Sequence, residues 1–263
     1  MDIGNADRFT GFAGLYDAAR PAMPLFPVEI ITAYLGKRPG LVVDMGCGTG
    51  LSTLVWKGRC AKAVGIDPND DMLEAAAKKR VDGITFKKGC SHDTGLADAS
   101  ADAVVCSQSF HWMEPAATLA ETARILRSGG VFAAVDCDWP PVCGWRAEKA
   151  FIELIARAEE TERSDASLRG RFVKWDKEKH LTNIINSGYF RFAREIVFSN
   201  AESCDAERFV GLALSQGSIQ SIIKLRPGAL ASYIDAFRET VFSEFGRLKR
   251  PVHFCYRMRI AVK

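Results

Sequence analysis

The sequence predicts a doubly wound α/β fold on a mostly parallel sheet, and three observations carry that expectation. Short β-rich apolar runs alternate with helix-like segments through the first half, as in repeated βαβ units. The first of these runs opens directly onto a glycine-rich turn. The second half changes to longer amphipathic segments and closes on an alternating run that reads as a last strand. A chain of 263 residues suits one large domain, or one domain with an appendage, better than two independent ones.

Five runs read as strands in the first half: Leu41 to Met45, Ala63 to Ile66, Ile84 to Lys87, Ala103 to Ser107 and Val131 to Asp136. Several are apolar enough to be buried on both faces. A helix-like segment runs from Leu51 to Trp56. Asp70 or Asp71 is placed to cap a helix from Met72 to Arg80, whose closing Lys78, Lys79 and Arg80 complement its dipole and otherwise form a solvated face. Glu114 to Leu126 is a further helix with Pro115 in its first turn, and Gly129 and Gly130 turn the chain into the next strand. Beyond Trp139, Pro140, Pro141 and Gly144 the pattern is mostly helical, over Glu148 to Thr161, Lys177 to Asn186, Asp205 to Ser215 and Pro227 to Phe245. Phe190 to Phe198 and Val252 to Val262 alternate as strands. A single domain follows, with a core over about 25–138, 188–200 and 252–263 and a helical cap over about 145–187 and 204–248.

Composition excludes several classes: 48% hydrophobic and 25% charged residues are ordinary for a globular chain. With 35 basic against 32 acidic residues, charge alone predicts no nucleic-acid partner. The eight cysteines show no C-x-x-C pair and read as reduced thiols. Asp2, Asn5, Asp7, Arg8 and Asp17 interrupt any signal-peptide core, and no run approaches a membrane span, so cytoplasmic residence without a membrane partner is expected. The histidines at 92, 111, 180 and 253 show no ligand spacing, so no metal is expected.

The sharpest feature is Asp44, Met45, Gly46, Cys47, Gly48, Thr49, Gly50 after the first strand. Glycines there let the backbone turn tightly and approach a ligand, with amides at a following helix start facing it. Asp67 ends the next strand, at about the distance where a dinucleotide fold places the carboxylate that bonds a ribose diol. A nicotinamide or flavin fingerprint needs a small third residue where Leu51 stands, and no lysine follows as in a triphosphate loop.

The run D-x-G-x-G-x-G resembles the first motif of class I S-adenosylmethionine-dependent methyltransferases. Asp67 with Pro68, Asn69 and Met72 resembles their second motif, which implies a ribose contact for Asp67 and an adenine contact for Met72. Gly89, Cys90, Ser91 and His92 fall where the family commonly has a glycine and an aspartate near the adenine amine; Cys90 departs from that pattern, and Ser91 or a backbone amide is the substitute contact. Ser107, Gln108, Ser109, Phe110, His111 and Trp112 are similar to a type 11 branch that includes trans-aconitate methyltransferases. Tyr16, Asp17, Arg20 and Pro21 resemble the N-terminal segment that lies over the cofactor in that branch. The resemblance is strong over Leu41 to Asp136 and looser beyond Trp145. It implies a Rossmann-like seven-stranded sheet with the last strand antiparallel and an inserted helical region over the active site. It also implies S-adenosylmethionine as methyl donor, with S-adenosylhomocysteine as product.

The cofactor candidates are therefore Asp44, Gly46, Cys47, Gly48, Gly50, Asp67, Pro68, Met72, Ser91, Ser107, Gln108, Tyr16 and Arg20. Methyl transfer is an in-line displacement that needs alignment and exclusion of water. A carboxylate acceptor is already ionised, whereas a hydroxyl benefits from a base, for which His111 is best placed. Phe110, Trp112 and Trp139 are candidate walls of the acceptor pocket, and Arg169, Arg171 and Lys174 lie in the region expected to cover it. The favoured acceptor is a small molecule with a carboxylate or hydroxyl oxygen, by analogy with the branch. Two alternatives stand beside it: a nucleic-acid methyltransferase, which lacks its N/D-P-P-Y/F tetrad here, and a catalytically silent cofactor-binding module. Oligomeric state is not legible.

Overall fold

The computed structural model describes residue 5 and residues 7–170 and 172–263. Seven strands form one sheet: β1 (Leu41–Met45), β2 (Lys62–Asp67), β3 (Ile84–Lys88), β4 (Ala101–Ser107), β5 (Leu126–Val142), β6 (Phe192–Cys204) and β7 (Arg250–Val262). Their order is β3-β2-β1-β4-β5-β7-β6. The first five pair in parallel, and β7 lies antiparallel between β5 and β6, as the family resemblance implied. From β1 the chain winds outward to β2 and β3, then returns to β4 on the other side, so a crevice opens between the carboxyl ends of β1 and β4.

Apolar side chains of the central strands alternate between two helical layers. Val42, Ala63, Val131, Ala133 and Val135 face one core, and Val43, Met45, Val104, Phe132 and Ala134 face the other. The first core is closed by α2 (Leu25–Leu35), α5 (Trp145–Ser164), α7 (Ala206–Leu214), α8 (Gly217–Leu225) and α9 (Ala231–Phe245). The second is closed by α4 (Pro115–Ile125) and α6 (His180–Asn186). The remaining helices are α1 (Ala13–Ala19) and α3 (Asp70–Ala77). Among the described residues no helix is long and apolar enough to cross a membrane.

Several expectations need correction. The segment after the glycine turn forms only a 3₁₀ turn over Thr53–Trp56 instead of a helix. Asn69, and neither aspartate, caps α3: its side chain accepts the Met72 N–H at 3.0 Å. Gly129 and Gly130 do not end a loop but lie inside β5, where the register with β4 shifts between Ala101 and Ala103. The α6 helix, expected in the cap, packs with α4 beneath the opposite face, because Ile184 joins the core of Phe132 and Leu119. β6 runs to Cys204, past the expected end at Phe198, because β7 pairs with it residue for residue. The helices α1, α2 and α8 had no clear signal in the sequence.

The helical layer centres on Phe209, which is fully buried with ring centroids of Phe151, Phe237 and Phe245 at 5.9, 6.4 and 5.2 Å. Phe209→Ala is expected to cost about 3–5 kcal/mol by removing that packing. Urea unfolding measures it, and a loss below about 1 kcal/mol would show that the layer does not share the sheet's core.

Candidate active site

The crevice at the carboxyl ends of β1 and β4 is lined by Phe9, Tyr16, Gly46, Gly48, Asp67, Met72, Gln108, Ser109 and Trp112. Its floor is a backbone turn locked to a carboxylate. Asp67 Oδ2 accepts the Gly48 N–H at 3.0 Å and Oδ1 accepts the Asn69 N–H at 2.9 Å, so one side chain ties the glycine turn to the start of α3. Burial raises the pKa of Asp67, and those two backbone bonds oppose the rise. Each oxygen keeps a further lone pair, which suits it to a diol. Gly48 has φ +54, and a Cβ there would meet nothing within 4 Å, so its backbone faces open space at the crevice.

Other members of the motif work behind the turn. Asp44 is buried and accepts from Thr53 Oγ1 at 2.6 Å, and burial lifts its pKa to about 7 despite that bond. Cys47 packs its Sγ toward Gly65, and burial pushes its thiol pKa well up. Gly50 is backed by the ring of Phe86. These three residues shape the loop and do not line the crevice, in contrast to the expectation for them. Ser91 is also buried away from the lining, with Thr118 Oγ1 at 3.0 Å from its hydroxyl. Pro68 follows Asp67 in the link to α3 and is likewise outside the lining, and Ser107 exchanges a 2.9 Å hydrogen bond with Ser52.

At the end of β4 the chain makes a strained turn. Gln108 has φ +56, which non-glycine residues seldom adopt, and its buried Nε2 has no hydrogen-bond partner although the residue lines the crevice. Ser109 Oγ donates to the Met45 carbonyl at 2.6 Å and pins this turn to β1. A 3₁₀ turn over Phe110–Trp112 then sends its three side chains to different places. Trp112 faces the crevice. Phe110 goes into the core against Phe132 and His180, so it is not a pocket wall. Trp139 stacks on Phe151 beneath the Arg20 guanidinium, 4.6 Å from its ring centroid.

The roof is the N-terminal segment. Phe9 and Tyr16 lie over the crevice, and Phe9 meets Trp112 edge to face at 5.8 Å. Asn69 Nδ2 bonds Thr10 Oγ1 at 2.9 Å, and Asp71 accepts the Gly11 N–H at 2.9 Å. Arg20 Nε donates to Ser215 Oγ at 2.8 Å and its guanidinium stacks over Tyr16, so it braces the roof against α7. Burial lowers the Arg20 pKa and raises that of Tyr16, each offset in part by the other. Neither Phe9 nor Ser109 was among the expected site residues; a short N-terminal aromatic cluster carries no motif by which to find it.

His111 points away from the crevice lining, into a buried polar hub. Its Nδ1 is 3.3 Å from Asp136 Oδ1 at the end of β5. The same carboxylate meets Lys177 Nζ at 3.2 Å, Arg259 Nη1 at 3.1 Å and His180 Nε2 at 3.6 Å. Burial would raise the Asp136 pKa, but Lys177, His111 and His180 together hold it well below the usual carboxylate range. Burial, and then Lys177, lowers His111 to about 3, and burial lowers His180 to about 4, so both rings are neutral at pH 7. His111, Asp136 and His180 offer ligand atoms within 4.8 Å of one another, a meeting that their chain separation concealed. Lys177 and Arg259 already supply positive charge to the same carboxylate. Of the expected covering cations, Arg169 donates to the Arg163 carbonyl, burial lowers the pKa of Lys174, and Arg171 lies outside the described residues.

Residues 43–134 match the family model described as a methyltransferase domain. An uncharacterised methyltransferase of Mycobacterium tuberculosis is 31% identical over 165 residues, 63% of this chain and 65% of that protein. A Saccharomyces cerevisiae protein, described as a probable S-adenosylmethionine-dependent methyltransferase, is 36% identical over 125 residues, 45% of this chain and 43% of its own. The chain thus spans less than two thirds of these relatives. A provisionally named type II methyltransferase from Anaeromyxobacter dehalogenans shares the fold with a TM-score of 0.65 at 19% identity, over 92% of this chain and 97% of that one.

The hub sets a pH dependence. Both histidines have folded pKa values below their unfolded value of about 6.5, so the unfolded chain binds more protons as pH falls through that window. Their contribution to stability is complete above about pH 6.5 and is lost toward pH 4. Urea midpoints should fall over that range and His180→Phe should flatten the fall; a wild-type midpoint constant from pH 7 to 4 would exclude neutral buried rings.

Proposed function

We propose that the protein transfers a methyl group from S-adenosylmethionine to an oxygen of a small molecule: residues 43–134 match the family model described as a methyltransferase domain, on a doubly wound α/β sheet. The observation that carries the reading is the crevice itself: the Asp67 carboxylate, the open backbone face of Gly48 and the unpartnered Gln108 Nε2 converge on one space. These groups fit an adenosine bearing an amino acid. Asp67 would hold the ribose diol, Met72 and Phe9 would lie against the base, and Gln108 with the Gly46 to Gly48 backbone would meet the polar amino-acid end. When bound, the cofactor supplies an electrophilic methyl group on a sulfonium, with a neutral thioether as the leaving group.

The chain's own task is to bind, orient and exclude water. Tyr16, Phe9 and Trp112 roof the crevice with aromatic surface. No residue need form a covalent bond. His111, buried in the hub with its Nδ1 3.3 Å from Asp136 Oδ1 and its ring neutral at pH 7, faces away from the crevice, which supports a positioning role for it. A carboxylate acceptor is already ionised and needs no base, and a hydroxyl acceptor would pass its proton to water as its oxygen takes the methyl. Free cysteines, most of them buried, fit a reducing, cytoplasmic setting. The modest net charge of +3 favours a small-molecule acceptor over nucleic acid.

Asp67→Ala is expected to weaken S-adenosylmethionine binding about tenfold or more, on the scale of a lost charge-assisted hydrogen bond. Calorimetry reads it, and unchanged affinity, or binding of a nicotinamide dinucleotide instead, overturns the cofactor reading. His111→Asn should leave kcat within about threefold on any acceptor found in a panel of phenols, carboxylic acids and RNA, whereas a general base contributes about a hundredfold or more. A fall of that size on a hydroxyl acceptor would put His111 in the chemistry.

A further inference from the structure

The outermost strand of the sheet, β6, pairs in register with β7 along all thirteen of its residues and, among the described residues, has no strand on its other side. A proline-free edge of that length is a template for another strand. Three features of the edge point to one occupant. A two-fold axis perpendicular to the sheet would bring two β6 edges together antiparallel. It keeps both faces continuous only when the paired residues share a face, and so have the same parity. Phe198 is the midpoint of Phe192–Cys204, so the register centred on it pairs the whole strand with its copy. In that register Arg194 stands opposite Glu202, twice per pair of chains, and Glu195 stands opposite Ala201, so no like charges meet. Moving the centre to Val197 or Ser199 sets Glu202 against Phe192 or Ile196 and loses both ion pairs.

Exposed apolar surface lies at the same midpoint. Val197 is 64% exposed. Phe26, from the first turn of α2, sits 4.8 Å from the Phe198 ring and is exposed together with Leu25. Phe198 itself stacks on Tyr256 at 5.1 Å, which fixes the strand's centre. Glu202 is held at the edge by Arg208 Nη2, 2.5 Å from its Oε2. We propose that a second copy of this chain pairs with β6 about Phe198, so that two seven-stranded sheets become one continuous sheet across a two-fold dimer. Main-chain hydrogen bonds join the edges, the Arg194 and Glu202 pairs select the register, and Leu25, Phe26 and their symmetry mates cover the flank.

Light scattering on a sizing column, with sedimentation over a range of concentrations, tests the proposal on the full chain. The wild type should have twice the 28.9 kDa mass of one chain. Arg194→Glu puts like charges opposite each other at both pairs and should raise the dimer Kd at least about tenfold. Circular dichroism would confirm that this exposed substitution leaves the fold intact. Reversing both partners, Arg194→Glu with Glu202→Arg, should restore the dimer. A monomeric wild type, a dimer indifferent to Arg194→Glu, or a double variant no better than the single would each overturn the proposal.

Discussion

The site depends on a single buried carboxylate at the tip of β2. Asp67 takes one backbone N–H from the glycine turn after β1 and another from the start of α3, so two loops from neighbouring strands hold one geometry. A carboxylate buried to this degree is costly unless its lone pairs are used, and the two amides use them only in part. The remaining acceptor capacity points into the crevice lining, which is why the same side chain can organise the loop and meet a ligand.

Around that point the chain uses long-range contacts to build a roof. The N-terminal segment is tied to α3 through Asn69 and Asp71 and to α7 through Arg20 and Ser215. Its aromatic residues are thereby placed over the glycine turn although they lie far from it in the chain. The helical layer is thus more than a cover for one face of the sheet: α7 and α8 hold the segment that closes the crevice.

On the other side of β4 the Asp136 hub balances charge in a dry region. A lone carboxylate at the end of β5 would be expensive to bury, and Lys177, Arg259 and two neutral imidazoles share it. Glu195 in turn meets Arg259 Nε at 2.7 Å, so the edge strand contributes to the hub's electrostatics. The β6 edge and the buried hub are therefore linked by one chain of ion pairs.

The sequence by itself determined the parallel core and the place of the crevice at the ends of β1 and β4. Runs such as Ala103 to Cys106 are apolar on both faces, and the spacing from Gly46 through Gly48 to Asp67 is a local pattern set by backbone sterics and strand length. The tertiary structure decided what depends on distant segments meeting. Phe9 reached the roof, Phe110 turned into the core, α6 moved to the opposite face, and His111 and His180 met at Asp136 from positions far apart in the chain. Helical and strand periodicities say which face of a segment is apolar, but only packing against a particular partner decides which layer receives it and which polar groups then share a buried charge.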